Sequence, residues 1–279
     1  MIYYSYLFYI SSLKYQTMDI KEYKAANNNL TESHHPWEHA RVSFMHKLFK
    51  KNIGHLKIKN ILDIGCGDIF FLKSFAKRYP LANYYGIDIA FDDDLINKYK
   101  LQKGAEKLNL LKSSESFAKL NKKADVIFLL DVIEHIKNDY EFLSSLSKST
   151  FIHSDTFIFI SVPAFQNLFV SRDKWLGHYR RYSLNLLKST VTKSGFKVVG
   201  AQYLFFSLLF PRILTKIKEQ AFKPDLDKMS GIGGWKKRKI IDGLIKKILL
   251  LDFFIINLFL KFNIILPGLS CFVICKKQQ

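Results

Sequence analysis

The chain has 279 residues, enough for one large domain or one domain with an insertion. Hydrophobic residues make up 48% and the net charge is +19, so a substantial core is possible and an anionic partner is expected: nucleic acid, an acidic lipid surface or a phosphorylated substrate. Three cysteines without a CxxC pair argue against a disulfide framework and for a reduced, cytosolic protein.

The first 17 residues carry an aromatic run, Tyr3, Tyr4, Tyr6, Phe8 and Tyr9, with no basic residue before Lys14. The run is not expected to act as a signal peptide, and it is shorter than a bilayer span needs. Met18 opens an ordinary polar stretch and is the expected functional start, with 1–17 an extension. The sequon at Asn29 is expected to be chance in a reduced protein. Residues 36–52 place Trp37, Val42, Phe44, Met45, Leu48 and Phe49 at helical spacing. Strand one is expected over 59–65, a helix over 69–79 ending at Pro80, and strand two over 84–89. Residues 92–121 read as helix, a short strand at 108–111, and helix. Strand four covers 124–130, a helix 137–149, and strand five 156–162, closed by Pro163. A helix over 184–194 leads to strand six at 196–203. Strand seven is expected at 269–275, where Cys271 and Cys275 share a face about 13 Å apart, too far to bridge.

Strands alternating with helical patterns make βαβ units and a mostly parallel sheet, with ligands at the carboxyl ends of the strands. Three acids mark those ends: Asp63, Asp88 and Asp131. In Asp63-Ile64-Gly65-Cys66-Gly67 the glycines follow a buried run and let a ligand approach the backbone. Asp88, 25 residues after Asp63, suits a ribose diol. The dehydrogenase pattern GxGxxG fails, because Phe70 holds its sixth position.

These segments resemble the class I S-adenosylmethionine-dependent methyltransferase family. Asp63, Gly65 and Gly67 match its acid-x-Gly-x-Gly-x-Gly motif, with Ile69 in place of the third glycine. Asp88 matches the acid of its second motif, and Asp131-Val132-Ile133-Glu134-His135-Ile136 resembles its segment after strand four. The resemblance covers 35–203 and 269–277. It implies a Rossmann-like α/β fold with a seven-stranded, mostly parallel sheet in the order 3-2-1-4-5-7-6. An N-terminal helical segment would precede the sheet, and a basic and apolar insertion would separate the last two strands. It also implies S-adenosylmethionine as cofactor. Gly65, Cys66 and Gly67 would pass its amino-acid part, Asp63 would help hold its ammonium, Asp88 its ribose and Ile89 its adenine. Asp131 is counted with this cofactor set. Ser113, Ser114 and Glu115 are the weaker candidates for the adenine edge.

The polar segment Asp173–Ser183 follows strand five. It reads as an acceptor-binding loop, the alternative being a solvated loop whose Ser183 caps the next helix. Its His178-Tyr179-Arg180-Arg181-Tyr182 resembles a stretch in methyltransferases linked to cell-surface polysaccharide or lipid modification. Arg180 and Arg181 suit phosphate or carboxylate, and Tyr182 joins them as an acceptor residue. Methyl transfer mainly requires alignment, and a hydroxyl acceptor also gains from a base. His178 and His135 are the candidates. Asp131, Glu134 and His135 echo a magnesium-binding acid-x-x-Glu-His pattern of ubiquinone-pathway O-methyltransferases. Most relatives with a similar segment are not obviously metal-dependent, and no metal is assigned. His35, Trp37, Glu38 and Arg41 lie on the first helix, which in the resembled family covers the active site; Trp37 and Arg41 are taken as acceptor residues.

The expected division is 1–17, a methyltransferase domain of 18–203 plus 269–279, and an insertion of 204–268 emerging at the cofactor edge. Residues 212–247 are lysine-rich and 248–266 apolar, broken by Asp252, Asn257, Lys261 and Asn263. Two charges at about 2.5–3.5 kcal/mol each disfavour a span, so a surface-lying or re-entrant segment is expected. A buried helix pair capping the domain is the alternative. The leading expectation is O-methylation of a lipid or lipid-linked glycan by a cytoplasmic enzyme. It would associate peripherally with the inner face of an anionic membrane. Nucleic-acid methylation is the runner-up, though Asp131-Val132-Ile133-Glu134 replaces the Asp/Asn-Pro-Pro-aromatic run of base-amino methyltransferases. A non-catalytic membrane adaptor on a degenerate fold is the third reading.

Overall fold

The structure is a computed structural model and describes residues 34–222, 224–225 and 238–278. The expected extension 1–17, the start at Met18, the sequon at Asn29 and the lysines at 223, 228, 236 and 237 lie outside the described residues.

Seven strands form one sheet: β1 (Asn60–Ile64), β2 (Asn83–Ile87), β3 (Leu108–Leu111), β4 (Val126–Leu130), β5 (Phe157–Pro163), β6 (Phe196–Leu204) and β7 (Ser270–Lys277). Their order is β3-β2-β1-β4-β5-β7-β6, the order expected. β1 to β5 pair in parallel, and β7 runs antiparallel between β5 and β6.

The helices are α1 (Pro36–Ile53), α2 (Phe70–Arg78), α3 (Asp93–Lys100), α4 (Ser114–Ala118), α5 (Asp139–Ser147), α6 (Ser171–Leu176), α7 (Leu184–Lys193), α8 (Leu209–Ala221) and α9 (Lys239–Leu260). They cover both faces of the sheet, so β4 reads Val-Ile-Phe-Leu-Leu without a polar break. Val126 and Phe128 face the layer of α1, α2, α3 and α9, where Phe71 and Phe75 meet Phe128 edge-on at 4.9 Å. Ile127 and Leu129 face the layer of α4, α5 and α7, with Phe117, Leu143 and Leu187. This alternation follows from the two-residue period of a strand.

Register fixes where the insertion leaves the sheet. Ser270 at the start of β7 pairs with Pro163 at the end of β5 and with Leu204 at the end of β6. Both ends of the 204–268 segment therefore lie at the carboxyl edge of the parallel strands. α9 begins at Lys239, earlier than the apolar block 248–266, and stops at Leu260. It packs on α1, with Phe253 stacked on Phe44 at 4.9 Å. Asp252 turns inward, where its carboxylate accepts from the backbone N–H (2.9 Å) and hydroxyl (2.7 Å) of Ser207. Among the described residues no helix is long and apolar enough to cross a membrane.

Candidate active site

The loop after β1 is built on left-handed backbone. Gly65 has φ +79° and Gly67 φ +55°, values that suit glycine. A Cβ on Gly65 would stand 2.6 Å from Cγ2 of Val132, so the close approach of the segment after β4 requires this glycine too. Ile69 also has φ +62°, at the position where the family motif carries its third glycine. The requirement there is conformational: a β-branched residue in this region costs about 1–2 kcal/mol. Its side chain is fully buried in the core, which offsets that strain.

Asp63 lies in β1 opposite Gly86 and Phe128 and is buried. Asp88 is buried just past β2, and its carboxylate accepts from the backbone N–H of Gly67 at 3.0 Å and of Ala90 at 2.9 Å. One acid thus ties the turn after β1 to the turn after β2. Ile89 beside it is 40% exposed at this edge, an open apolar surface. The N–H groups of Gly65 and Cys66 both donate to the carbonyl of Ile87. Cys66 turns its thiol into the core, where a Cβ on Gly86 would meet the sulfur at 2.9 Å. Burial, and then the carboxylates of Asp88 and Asp63, push that thiol well up from its usual range. Cys66 can therefore line the cofactor loop through its backbone alone. Ser113 caps α4, accepting from the N–H of Ser116, and Glu115 sits in that helix's first turn.

Asp131 follows β4 with φ +58° and forms an ion pair with Arg41 of α1, Oδ2 to Nη1 2.8 Å. The Arg41 guanidinium lies 4.5 Å from the centre of the Trp37 ring. The structure thus brings Trp37, Arg41 and Asp131 together at one place, two of them expected on the acceptor and one on the cofactor. His35 caps α1 and forms a capping box with Glu38.

Part of the expected acceptor loop is helical: α6 covers Ser171–Leu176 and ends at Gly177, φ +84°. From there the chain folds back, and His178 Nδ1 lies 3.2 Å from Asp173 Oδ1. Asp173 is fully buried and accepts two bonds from Arg181, Nη2 at 2.7 Å and Nε at 3.0 Å, plus the N–H of Val170 at 2.8 Å. Burial opposes its ionisation, but the bonds from His178 and Arg181 prevail and hold it far below the usual carboxylate range. Arg181 is 2% exposed and also donates to the carbonyl of Ala164. Arg180 pairs with Asp139 at 2.7 Å, and Tyr182 donates to the same carboxylate at 2.6 Å. The bonds of Arg180, Arg181 and Tyr182 are therefore internal. They brace the segment.

The segment after β4 runs from Val132, against the glycine loop, to Glu134 and His135. The rings of His135 and His178 meet edge-on at 4.6 Å. Glu134 is fully buried, and neither carboxyl oxygen has a hydrogen-bond partner. Burial, and then Asp131, raise its pKa well above the usual range, favouring the protonated form. His178 Nε2 is likewise buried without a partner. Glu134, His135 and His178 each offer a ligand-type atom, all within 4.8 Å of one another, and form a group among the described residues that could hold a cation. Asp131 of the acid-x-x-Glu-His pattern is not among them, being tied to Arg41.

A family model described as a methyltransferase domain matches residues 37–201, more than half of the chain. The chain belongs to the S-adenosylmethionine-dependent methyltransferase family. Membership makes it an enzyme of that class, with S-adenosylmethionine as its cofactor. The chain is similar to the ubiquinone biosynthesis O-methyltransferase of Rickettsia prowazekii (strain Madrid E), 28% identical over 112 residues. That stretch is 40% of this chain and 44% of the relative, so the chain spans less than half the length of the curated relative it matches. Similar solved structures include the plantazolicin methyltransferase BpumL in complex with S-adenosylhomocysteine (TM-score 0.51, 16% identity, 88% of this chain and 85% of that one). Another is coclaurine N-methyltransferase bound to N-methylheliamine and S-adenosylhomocysteine (TM-score 0.52, 15% identity, 86% and 71%). At these identities they show the fold of this methyltransferase.

In the sequence Glu134 stood out only within a magnesium-binding pattern, and Asp173 and Arg212 had no role of their own; the structure draws all three together. Asp173 was visible as the one acid in a cationic segment. Its five- and eight-residue spacings to His178 and Arg181 become contacts because the chain reverses at Gly177.

Proposed function

We propose that this methyltransferase transfers the methyl group of S-adenosylmethionine to a hydroxyl of a lipid or lipid-linked glycan at the inner face of a membrane. The observation that carries the hydroxyl assignment is the Asp173–His178 pair with its unpartnered Nε2. With Nδ1 donating to Asp173, Nε2 holds the lone pair and can take the proton of an attacking hydroxyl. Alignment of that oxygen with the methyl and the leaving sulfur supplies the rest. Gly65–Gly67, Asp63, Asp88 and Ile89 are the residues proposed for the cofactor. Trp37 and Arg41, at the roof formed by α1, are the ones proposed to meet the acceptor. The similarity to a protein named as an O-methyltransferase supports oxygen as the methylated atom. Nucleic-acid methylation is favoured only by the charge of +19.

The test is transfer of labelled methyl from S-adenosylmethionine into fractionated cell extracts. Label is expected in the organic-extractable lipid fraction, as an alkali-stable ether. Label confined to RNA or DNA, or to an amine, would reject this reading.

A further inference from the structure

The polarity of α8 is inverted. Residues three and four apart share one face of a helix, and here the polar face points into the protein. Arg212 Nη2 lies 3.5 Å from Asp173, Lys216 Nζ donates to the carbonyl of Phe169 at 2.7 Å, and Glu219 accepts from the N–H of Ser171 at 2.8 Å. The opposite face carries Phe210, Ile213, Leu214 and Ile217, exposed at 59, 41, 59 and 56%. A water-facing helix places those side chains inward. An exposed apolar row of this kind calls for an apolar environment.

We propose that α8 is an interfacial helix whose Phe210–Ile217 face enters an anionic bilayer while its polar face holds α6 and Asp173. Two observations commit the occupant to a bilayer over a second copy of the chain. The net charge of +19 repels another copy and attracts an anionic surface. The lysines of the insertion's described helices that face outward, Lys218, Lys239 and Lys247, are exposed beside apolar residues, as in helices that lie in the headgroup plane. α9 adds Leu251 and Phe254, 55 and 64% exposed, from the same insertion. This placement deepens the lipid-acceptor reading and rests on it for its purpose: the helix that meets lipid is the one whose other face touches the acid orienting His178.

Docking is measured without acceptor or methyl donor, so its outcome is separate from that of the transfer assay. Wild type and Leu214→Gln/Ile217→Gln are floated with phosphatidylglycerol/phosphatidylcholine vesicles and with phosphatidylcholine alone. Glutamine keeps helix propensity, and unchanged S-adenosylhomocysteine affinity shows that the variant is folded. The wild type is expected to float with the anionic vesicles, and the double variant at least tenfold less. Equal flotation of the two proteins, or no flotation of the wild type, would overturn the proposal. So would a wild-type dimer on gel filtration that the double variant makes monomeric.

Discussion

His178 and Asp173 form a buried pair, Nδ1 to Oδ1 3.2 Å, and the acid is fixed from behind by the guanidinium of Arg181. A carboxylate on one ring nitrogen sets the tautomer and leaves the other nitrogen to accept a proton. His178→Ala is expected to lower kcat by about 10²–10⁴-fold while leaving S-adenosylhomocysteine affinity within a few-fold. Single-turnover methyl transfer and calorimetry on the same preparation give both values. A variant with undiminished kcat would remove His178 from the proton transfer.

Glu134 makes stability depend on pH in a definite direction. Its pKa is raised in the folded protein, by burial first and by Asp131 next. The folded chain therefore keeps this proton at a pH where the unfolded chain has lost it. Its contribution is full below the unfolded value, about 4.3, and is lost as pH rises toward the folded value. Glu134→Gln removes this dependence. The variant should gain on the wild type by up to about 1.4 kcal/mol per pH unit between about pH 5 and the folded pKa. Urea unfolding across that range checks it; parallel stability curves for the two proteins would contradict it.

Ile69 reverses the ordinary ranking of alanine and glycine. At φ +62° alanine keeps the left-handed strain and loses the buried side chain, whereas glycine loses the side chain and relieves the strain. Both variants should be less stable than the wild type. Ile69→Gly should be the more stable of the two, by about 1 kcal/mol. Chemical denaturation of the three proteins decides; Ile69→Ala ranking above Ile69→Gly would show that the turn relaxes.

The parts of this fold that sequence made legible are those governed by local pattern. β4 and β5 are nearly continuous apolar runs because both sheet faces are covered, and Asp63, Asp88 and Asp131 lie at the carboxyl ends of β1, β2 and β4. The strand order came through resemblance, since periodicity alone does not order strands. Three features were not legible. The bonds of Arg180 and Arg181 to Asp139 and Asp173 depend on a reversal at Gly177, which residue types do not announce. The spacing in α8 reveals two faces but not which one turns inward; the buried carboxylate of Asp173 near Arg212 decides that. The apolar block 248–266 resembled one segment, yet Asp252 divides its role by bonding Ser207 within the fold.

Asp88 carries the central claim, because its carboxylate joins the glycine turn after β1 to the turn after β2 where the ribose of the cofactor would lie. Hydrogen bonds to a charged group contribute about 1.5–3 kcal/mol each. The deciding measurement is calorimetric titration of S-adenosylhomocysteine into the wild type, Asp88→Asn and Asp88→Ala. One-to-one binding by the wild type is predicted, weakened at least tenfold in Asp88→Asn and further in Asp88→Ala. Absence of binding by the folded wild type, or equal affinity in all three proteins, would contradict the account.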